Sequence, residues 1–493
     1  MLHRRRFLQL AAAAPAILRA QAPKPNVLMI AADDWNDWVG ALGGHPQVRT
    51  PNVDRLASRG VLFTDAHTAS PLCNPSRSAL MTGRRPSTSG VYDNDQPWRL
   101  AMPDVVTLPQ HFRANGYRAA GAGKLFHHGR GFNDPRSWDE YFHWNPGARA
   151  NGWTDGYSFP PDPEPERPVT PMPSVSWRNF DWAPLDVAEE SMPDHQVSSW
   201  AAGVLGRKHD RPFFLAAGMF RPHIPWFVPR RYLEMYPADQ VIVPTVKEDD
   251  LADLPPIARQ FALNEHSRHD LLVSTGNWKR AVRAYLACIT FSDAMIGRIL
   301  DALDASPHRD NTIVVFWSDH GYHLGEKWHW HKQALWQRAT HVPLIFAAPG
   351  VTRAGTRCER PVDLIHVYPT LADLAGLPVQ KGLDGVSLRP LLENPAHLWD
   401  RPAISTYLRG NNTVYTERWH YIRYRDGAEE LYDRRQDPNE WVNLSGRADL
   451  AAVKQQLARA LPAKDAPEAP RSNQYRFDPA KVEWTRKPSS PPR

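Results

Sequence analysis

The strongest constraint on how this chain folds is a set of short, uninterrupted apolar runs, each leading into polar or charged residues. Asn26 to Ala32 runs into Asp33-Asp34, and Thr312 to Trp317 runs into Ser318-Asp319-His320. Pro212 to Ala217 is followed shortly by His223, Val342 to Ala348 forms a fourth run, and the weaker Tyr117 to Gly121 leads to Lys124 and His127. Runs without polar alternation suit strands covered on both faces, as in parallel sheets. Between them, Val282, Tyr285, Leu286, Ile289, Ile296, Ile299, Leu300 and Leu303 recur at helical spacing. Thr107 to Asn115, closed by Gly116, and Asp363 to Ala375, closed by Gly376, read as further helices. The pattern predicts an α/β fold with a large, mostly parallel sheet flanked by helices. In such sheets ligands bind beyond the carboxyl ends of the strands, which is where the reactive candidates fall.

A chain of 493 residues suits one large domain with a smaller appendage. Residues 1–22 read as an export signal: Arg4-Arg5-Arg6-Phe7-Leu8 precedes a small apolar stretch, and Ala20-Gln21-Ala22 supplies a cleavage site. The arginines followed by Phe-Leu have the twin-arginine form, so the expected location is periplasmic or secreted. Residues 23–394 are expected to form the catalytic domain. The segment from about 143 to 195, rich in proline, tryptophan and acidic residues, reads as a long surface insertion. From 395 to 493 the pattern changes to short antiparallel strands at 403–407, 412–417, 420–424 and 430–432, with turns at Arg409-Gly410 and Asp426-Gly427. A helix over 450–461 and an extended tail complete this smaller subdomain.

Four of the six net positive charges are Arg4, Arg5, Arg6 and Arg19, which leaves +2 without the leader. No basic block points to nucleic acid, and no apolar run after residue 30 is long enough for stable membrane insertion. An anionic substrate must therefore meet a local positive pocket. Cys73, Cys288 and Cys358 are the three cysteines, so disulfides do not hold the fold together.

The chemistry centres on Cys73-Asn74-Pro75-Ser76-Arg77, extended to Thr82-Gly83-Arg84. Pro75 places Cys73 at a helix N-terminus, where free N–H groups and the dipole favour an anion. Asp33, Asp34 and Asp319 form an oxygen-rich set suited to a hard divalent cation, with the His320 imidazole beside them. Alone, an Asp-Asp pair after a strand serves equally as a helix cap; with Cys73 and Asp319-His320 it reads as a metal site.

The C-x-P-S-R-x-x-x-x-T-G-R motif resembles the signature of type I sulfatases, in which the cysteine becomes formylglycine. The resemblance extends over most of the chain, through Pro51 to Ala57, Gly123-Lys124-Leu125-Phe126-His127, Arg221-Pro222-His223-Ile224-Pro225, Ser318 to Gly321 and Leu324-Gly325-Glu326. Tyr92-Asp93, Trp98-Arg99 and Asp319-His320 are similar to the iduronate-2-sulfatase branch. The resemblance implies an alkaline-phosphatase-like fold, a Ca2+ held by Asp33, Asp34, Cys73, Asp319 and His320, and a formylglycine-generating enzyme acting on Cys73. It also implies that Arg77 and Lys124 stabilise the aldehyde hydrate, that His127 deprotonates it to release sulfate, and that His223 and Lys332 hold the sulfate. One of the last two would protonate the leaving oxygen.

The implied substrate is a sulfated carbohydrate, a 2-O-sulfated uronate of a glycosaminoglycan or similar polysaccharide. Cations and aromatic faces suit an acidic sugar, which nominates Trp98, Arg99, Trp330, Arg409, Asn411 and Asn412. Three other readings stay open at this point: a phosphonate or phosphate ester hydrolase on the same scaffold, a zinc site built from His320, His323, His329 or His331, and a sulfated-glycan binder with Cys73 unmodified.

Overall fold

The computed structural model describes residues 24–128, 131–142, 180–264, 269–478 and 480–488. The leader at 1–22 and residues 143–179 of the expected insertion lie outside them.

The body is an eight-stranded sheet built from β1 (Asn26–Ala32), β2 (Val61–Phe63), β3 (Arg118–Gly123), β4 (Glu140–Phe142), β5 (Phe213–Gly218), β6 (Thr312–Ser318), β7 (Leu344–Ala347) and β8 (Thr356–Cys358). Its order is 8-2-7-6-1-5-3-4, and every pairing is parallel except those of β7 with β6 and β2. β1 is central, and its side chains alternate between two apolar layers. Leu28, Ile30 and Ala32 pack with α1 (Pro51–Ala57), α4 (Pro193–Leu205) and α5 (Trp278–Ala305). Val27, Met29 and Ala31 pack with α2 (Cys73–Thr82), α3 (Leu108–Ala114) and α6 (Val367–Leu374). Burial on both faces is why these runs lack polar alternation.

Two sequence expectations change here. Residues from 182 onward are not a surface insertion: Trp182–Leu185 pairs with Trp226–Pro229, and α4 packs on the sheet through Val197, Ala201, Val204 and Leu205. That i, i+4, i+7, i+8 spacing is an ordinary buried helical face, screened in the sequence by the proline-rich stretch before it. The tail after 461 is not merely extended, because Tyr475–Asp478 and Glu483–Arg486 form a hairpin. Cross-strand pairing and packing supply order that no apolar period announces.

The smaller sheet is an antiparallel meander of β9 (Ala403–Thr406), β10 (Asn412–Tyr415), β11 (Trp419–Arg423) and β12 (Glu429–Asp433). Gly410 and Gly427 sit at φ 86° and 88° in its turns, where glycine carries no Cβ penalty. One face packs on α7 (Ala451–Ala458) through Val414, Tyr421 and Leu431 against Leu457. The other packs Ile422, Tyr424 and Tyr432 against Leu72 and Trp336, and so braces the segment that leads into Cys73. The three cysteines are buried, and none of them forms a disulfide. Among the described residues no helix is long and apolar enough to cross a membrane.

Candidate active site

The carboxyl ends of β1, β3, β5 and β6 converge on the N-terminus of α2. Asp33 and Asp34 follow β1, Asp319 and His320 follow β6, Lys124 follows β3, and His223 follows β5. Cys73 opens α2, where the Asn94 side-chain oxygen accepts the Asn74 N–H at 2.9 Å. Asn74 Nδ2 donates in turn to the carbonyls of Asp93 and Gln96, both at 2.8 Å, which fixes the helix start.

Arg77 ties the strand ends together. It donates to Asp319 Oδ2 at 2.8 Å and to the Ala32 carbonyl at 3.1 Å, approaches Asp33 Oδ1 at 3.3 Å, and also donates to the Lys124 carbonyl. Lys124 donates to Asp33 Oδ2, and Lys332 donates to Asp34 Oδ1 at 2.5 Å. Three carboxylates thus face three cations, all buried, which is the condition for keeping charges out of water. Burial works against the Asp33 carboxylate, but Lys124, His223, Arg77 and Lys332 hold its pKa well below the usual range. Burial, with Asp33 adding to it against the pull of Lys332, raises Asp34 to about 6. Burial opposes the Lys332 ammonium, yet Asp34 and its neighbours hold that pKa above the ordinary lysine value.

The donor set fits a divalent cation. Atoms of Asp33, Cys73, Asp319 and His320 lie within 4.8 Å of one another, and oxygen ligands at about 2.3–2.6 Å from one ion would show such spacings. His320 Nδ1 lies 3.0 Å from the Gly321 carbonyl, so it carries the proton and Nε2 presents its lone pair. That lone pair faces Asp34 Oδ1 at 3.4 Å and Asp319 Oδ2 at 3.5 Å. Acceptors facing acceptors call for a cation between them. Asp34 Oδ2, buried and without a hydrogen-bond partner among the described residues, points the same way. Asp34 adopts φ 61°, held by its N–H on Asp319 Oδ1 at 3.1 Å and by its carbonyl, which accepts Tyr285 Oη–H at 2.7 Å.

Cys73 Sγ lies 3.3 Å from His320 Nε2, 3.1 Å from Lys332 Nζ and 3.8 Å from Asp33 Oδ1. Burial raises its pKa, which keeps the thiol protonated. Burial, reinforced by Lys124, lowers His127 well below the ordinary histidine value, and burial with Lys332 and Lys124 does the same to His223. Both rings are therefore neutral. His223 Nδ1 bonds to the Ile224 carbonyl at 2.5 Å, which leaves Nε2 toward Asp34 Oδ2 at 4.0 Å.

All the nucleophile, metal and sulfate candidates thus gather at one place. The sequence did not single out Asp194, whose carboxylate accepts the backbone N–H groups of Phe220 at 2.8 Å and Arg221 at 3.0 Å and so positions the His223 loop. Its signal was an acidic residue in the first turn of α4, obscured by the insertion reading. Lys332 arrives on a strained loop in which Lys327, Trp328, His331 and Gln333 all have positive φ between 53° and 97°.

The substrate selectors fare differently. Trp98 is in the core, stacked on Phe126 at 5.2 Å with its indole N–H on the Phe132 carbonyl at 2.8 Å. Arg99 covers Trp98 and is consumed by Asp134 and the Val105 carbonyl. Trp330 is fully buried against Phe180 and Trp226. Asn411 and Asn412 are buried on Tyr407 and Thr406. These five side chains pack or tie turns, because broad aromatic faces and amides satisfy the interior of the aromatic-rich loops. Arg409 is exposed and donates to the Asp465 carbonyl at 3.3 Å. The histidine-rich zinc alternative is not assembled. His323 pairs across a short ladder with His331 and packs on His329, while His320 alone of the four joins the carboxylates.

A family profile described as Sulfatase matches residues 25–377, and one described as N-sulphoglucosamine sulphohydrolase, C-terminal, matches residues 325–466. A sulfatase of Formosa agariphila is 38% identical over 480 residues, covering 94% of this chain and 92% of its own. Human iduronate 2-sulfatase is 33% identical over 395 residues, covering 72% of this chain and 69% of its own. The crystal structure of the phosphonate monoester hydrolase of Agrobacterium radiobacter superposes with a TM-score of 0.71 at 25% identity, covering 89% and 94% of the two chains. The chain belongs to the sulfatase family, has the alkaline-phosphatase-like fold and hydrolyses sulfate esters, with iduronate 2-sulfatase among its relatives.

Proposed function

We propose that this enzyme removes O-sulfate from a sulfated carbohydrate, a 2-O-sulfated uronate of a glycosaminoglycan or similar polysaccharide, using Cys73 converted to formylglycine. The observation that carries this reading is the thiol of Cys73 set among Asp33, Asp319 and His320 within 4.8 Å, with Lys332 against it. Left as a buried, protonated thiol, Cys73 would be a weak nucleophile. A formylglycine-generating enzyme would supply the aldehyde, whose hydrate brings a hydroxyl nucleophile to that position. Ca2+ would be held by Asp33, Asp34, Asp319, His320 and the modified residue 73, and would supply charge stabilisation there. The uronate assignment rests on the likeness to iduronate 2-sulfatase.

The chain's own groups divide the remaining work. Lys124 and Arg77 hold Asp33 ionised, and Arg77 aims Asp319 at the cation while burial pushes the Asp319 pKa up. Lys332 and His223 receive the sulfonyl oxygens. His127, neutral through burial, would accept the proton of the hydrate's second hydroxyl, whose loss re-forms the aldehyde and expels sulfate. One of His223 and Lys332 would protonate the leaving oxygen. Arg409, the one nominated selector with a charge at the surface, would meet the uronate.

Residues 1–22 would direct export to the periplasm or outside the cell, residues 23–394 would form the catalytic domain, and residues 395–493 the smaller subdomain. Mass spectrometry of the tryptic peptide spanning residues 60–77 tests the modification, since formylglycine is lighter than cysteine by about 18 Da. An unmodified peptide from fully active protein would sink the mechanism; from inactive protein it would favour a glycan-binding role. A panel of sulfated disaccharides tests the uronate. Faster turnover of an aryl phosphonate than of an aryl sulfate would favour the ester class named by the phosphonate monoester hydrolase neighbour.

A further inference from the structure

The polypeptide beyond α7 does not trail off; it returns to the active site along two of its supports. Its first stretch runs beside the loop that caps α2. Ala466 N–H donates to the Ser87 carbonyl at 2.8 Å, Ala469 N–H to Gly90 at 2.8 Å, and Ser472 N–H to Asp95 at 2.6 Å. Arg471 adds side-chain bonds to Asp95 at 3.0 Å and Asp93 at 3.2 Å. The same loop supplies Asn94, Asp93 and Gln96 to Asn74, the neighbour of Cys73. Gln96 is bound from both sides, because its amide nitrogen Nε2 donates to the Ala469 carbonyl at 3.1 Å.

The second stretch is the hairpin of Tyr475–Asp478 and Glu483–Arg486. Its Trp484 meets Phe132 edge to face, with ring centroids 6.1 Å apart and planes at 89°. Phe132 meets His127 in the same way at 5.4 Å and 77°. Phe477 completes the wall, 5.3 Å from Trp484. The fit is close at Gly131, which has φ 78°: a Cβ there would fall 2.6 Å from Phe477 and 2.7 Å from Trp484. Edge-to-face pairs at these distances fix ring orientation as well as burying area.

We propose that residues 466–478 and the strand Glu483–Arg486 are a positioning element of the active site. In it Trp484 acts through Phe132 to orient the His127 imidazole, while residues 466–472 hold the loop that caps the Cys73 helix. Trp484 touches no reacting group, so its effect falls on turnover and not on capture of substrate. This inference rests on the reading of His127 as the proton acceptor.

The test measures kcat, KM and thermal unfolding on an aryl sulfate for Trp484→Ala, Trp484→Phe, Gly131→Ala and His127→Ala in the full chain. Trp484→Ala and Gly131→Ala are expected to lower kcat at least about ten-fold with KM changed less than about two-fold, since small misplacement of a reacting group is costly. Trp484→Phe, which keeps an aromatic edge, is expected to recover most of the loss. Wild-type kcat in both Trp484→Ala and Gly131→Ala, or a loss that only tracks the unfolded fraction or that Trp484→Phe fails to rescue, overturns the proposal. His127→Ala separates the two levels. If it keeps full activity, the reading of His127 fails; if it is inactive while Trp484→Ala turns over normally, only the positioning role fails.

Discussion

Lys332 Nζ lies 2.5 Å from Asp34 Oδ1 and 3.1 Å from Cys73 Sγ, so one buried ammonium links the carboxylate that ends β1 to the residue that opens α2. Replacing it with Met keeps the length and removes the charge. Lys332→Met is expected to lower kcat on an aryl sulfate by about 10²–10³-fold, the usual effect of deleting one donor aimed at developing charge. Steady-state kinetics on folded, metal-loaded protein provide the check, and a change confined to KM would contradict the assignment.

Asp194 holds two backbone N–H groups of the loop that carries His223. Asp194→Asn keeps the shape, weakens one charge-assisted bond and points a donor at a donor. The expected result is a loss of stability on the order of 1–3 kcal/mol together with a lower kcat. Thermal unfolding and kinetics measured on the same preparation decide it; unchanged values in both would remove Asp194 from the support of the site.

The fold is expected to survive removal of the cation. Arg77, Lys124 and Lys332 already face the three carboxylates, so no net negative charge is left stranded in the interior. Chelation should abolish activity while the circular dichroism spectrum stays native, and added Ca2+ should restore turnover. Unfolding on chelation would show that the lysines and arginine do not balance the carboxylates.

Cation binding should weaken in acid. Asp34 sits near pH 6, raised by burial and by Asp33, and must shed its proton to act as a ligand. Above that value the carboxylate is ready and the affinity is flat. Below it each unit of pH costs about ten-fold in apparent affinity. Isothermal titration of metal-free protein with Ca2+ from pH 5 to 8 measures this, and a flat profile would show that Asp34 is already ionised throughout.

Local sequence was enough for much of this protein. Val27 to Ala32 had to be a strand buried on both faces, because no solvent-facing period interrupts it, and the same holds for Ile313 to Trp317. Cys73, Asp33 and Asp319 were legible as a site, since polar residues ending parallel strands can meet only at the carboxyl edge of the sheet. Local sequence could not tell a tryptophan in a pocket from one in the core, which is why Trp98 and Trp330 were nominated and then found buried.

Tertiary structure decided the rest. The positive-φ loop that delivers Lys332, the two N–H groups caught by Asp194 and the return of Trp484 to Phe132 each join residues far apart in the chain. Such contacts depend on how the packed body closes, not on any period in the sequence. Helical and strand periods report which face a residue shows; only the folded chain reports what that face meets.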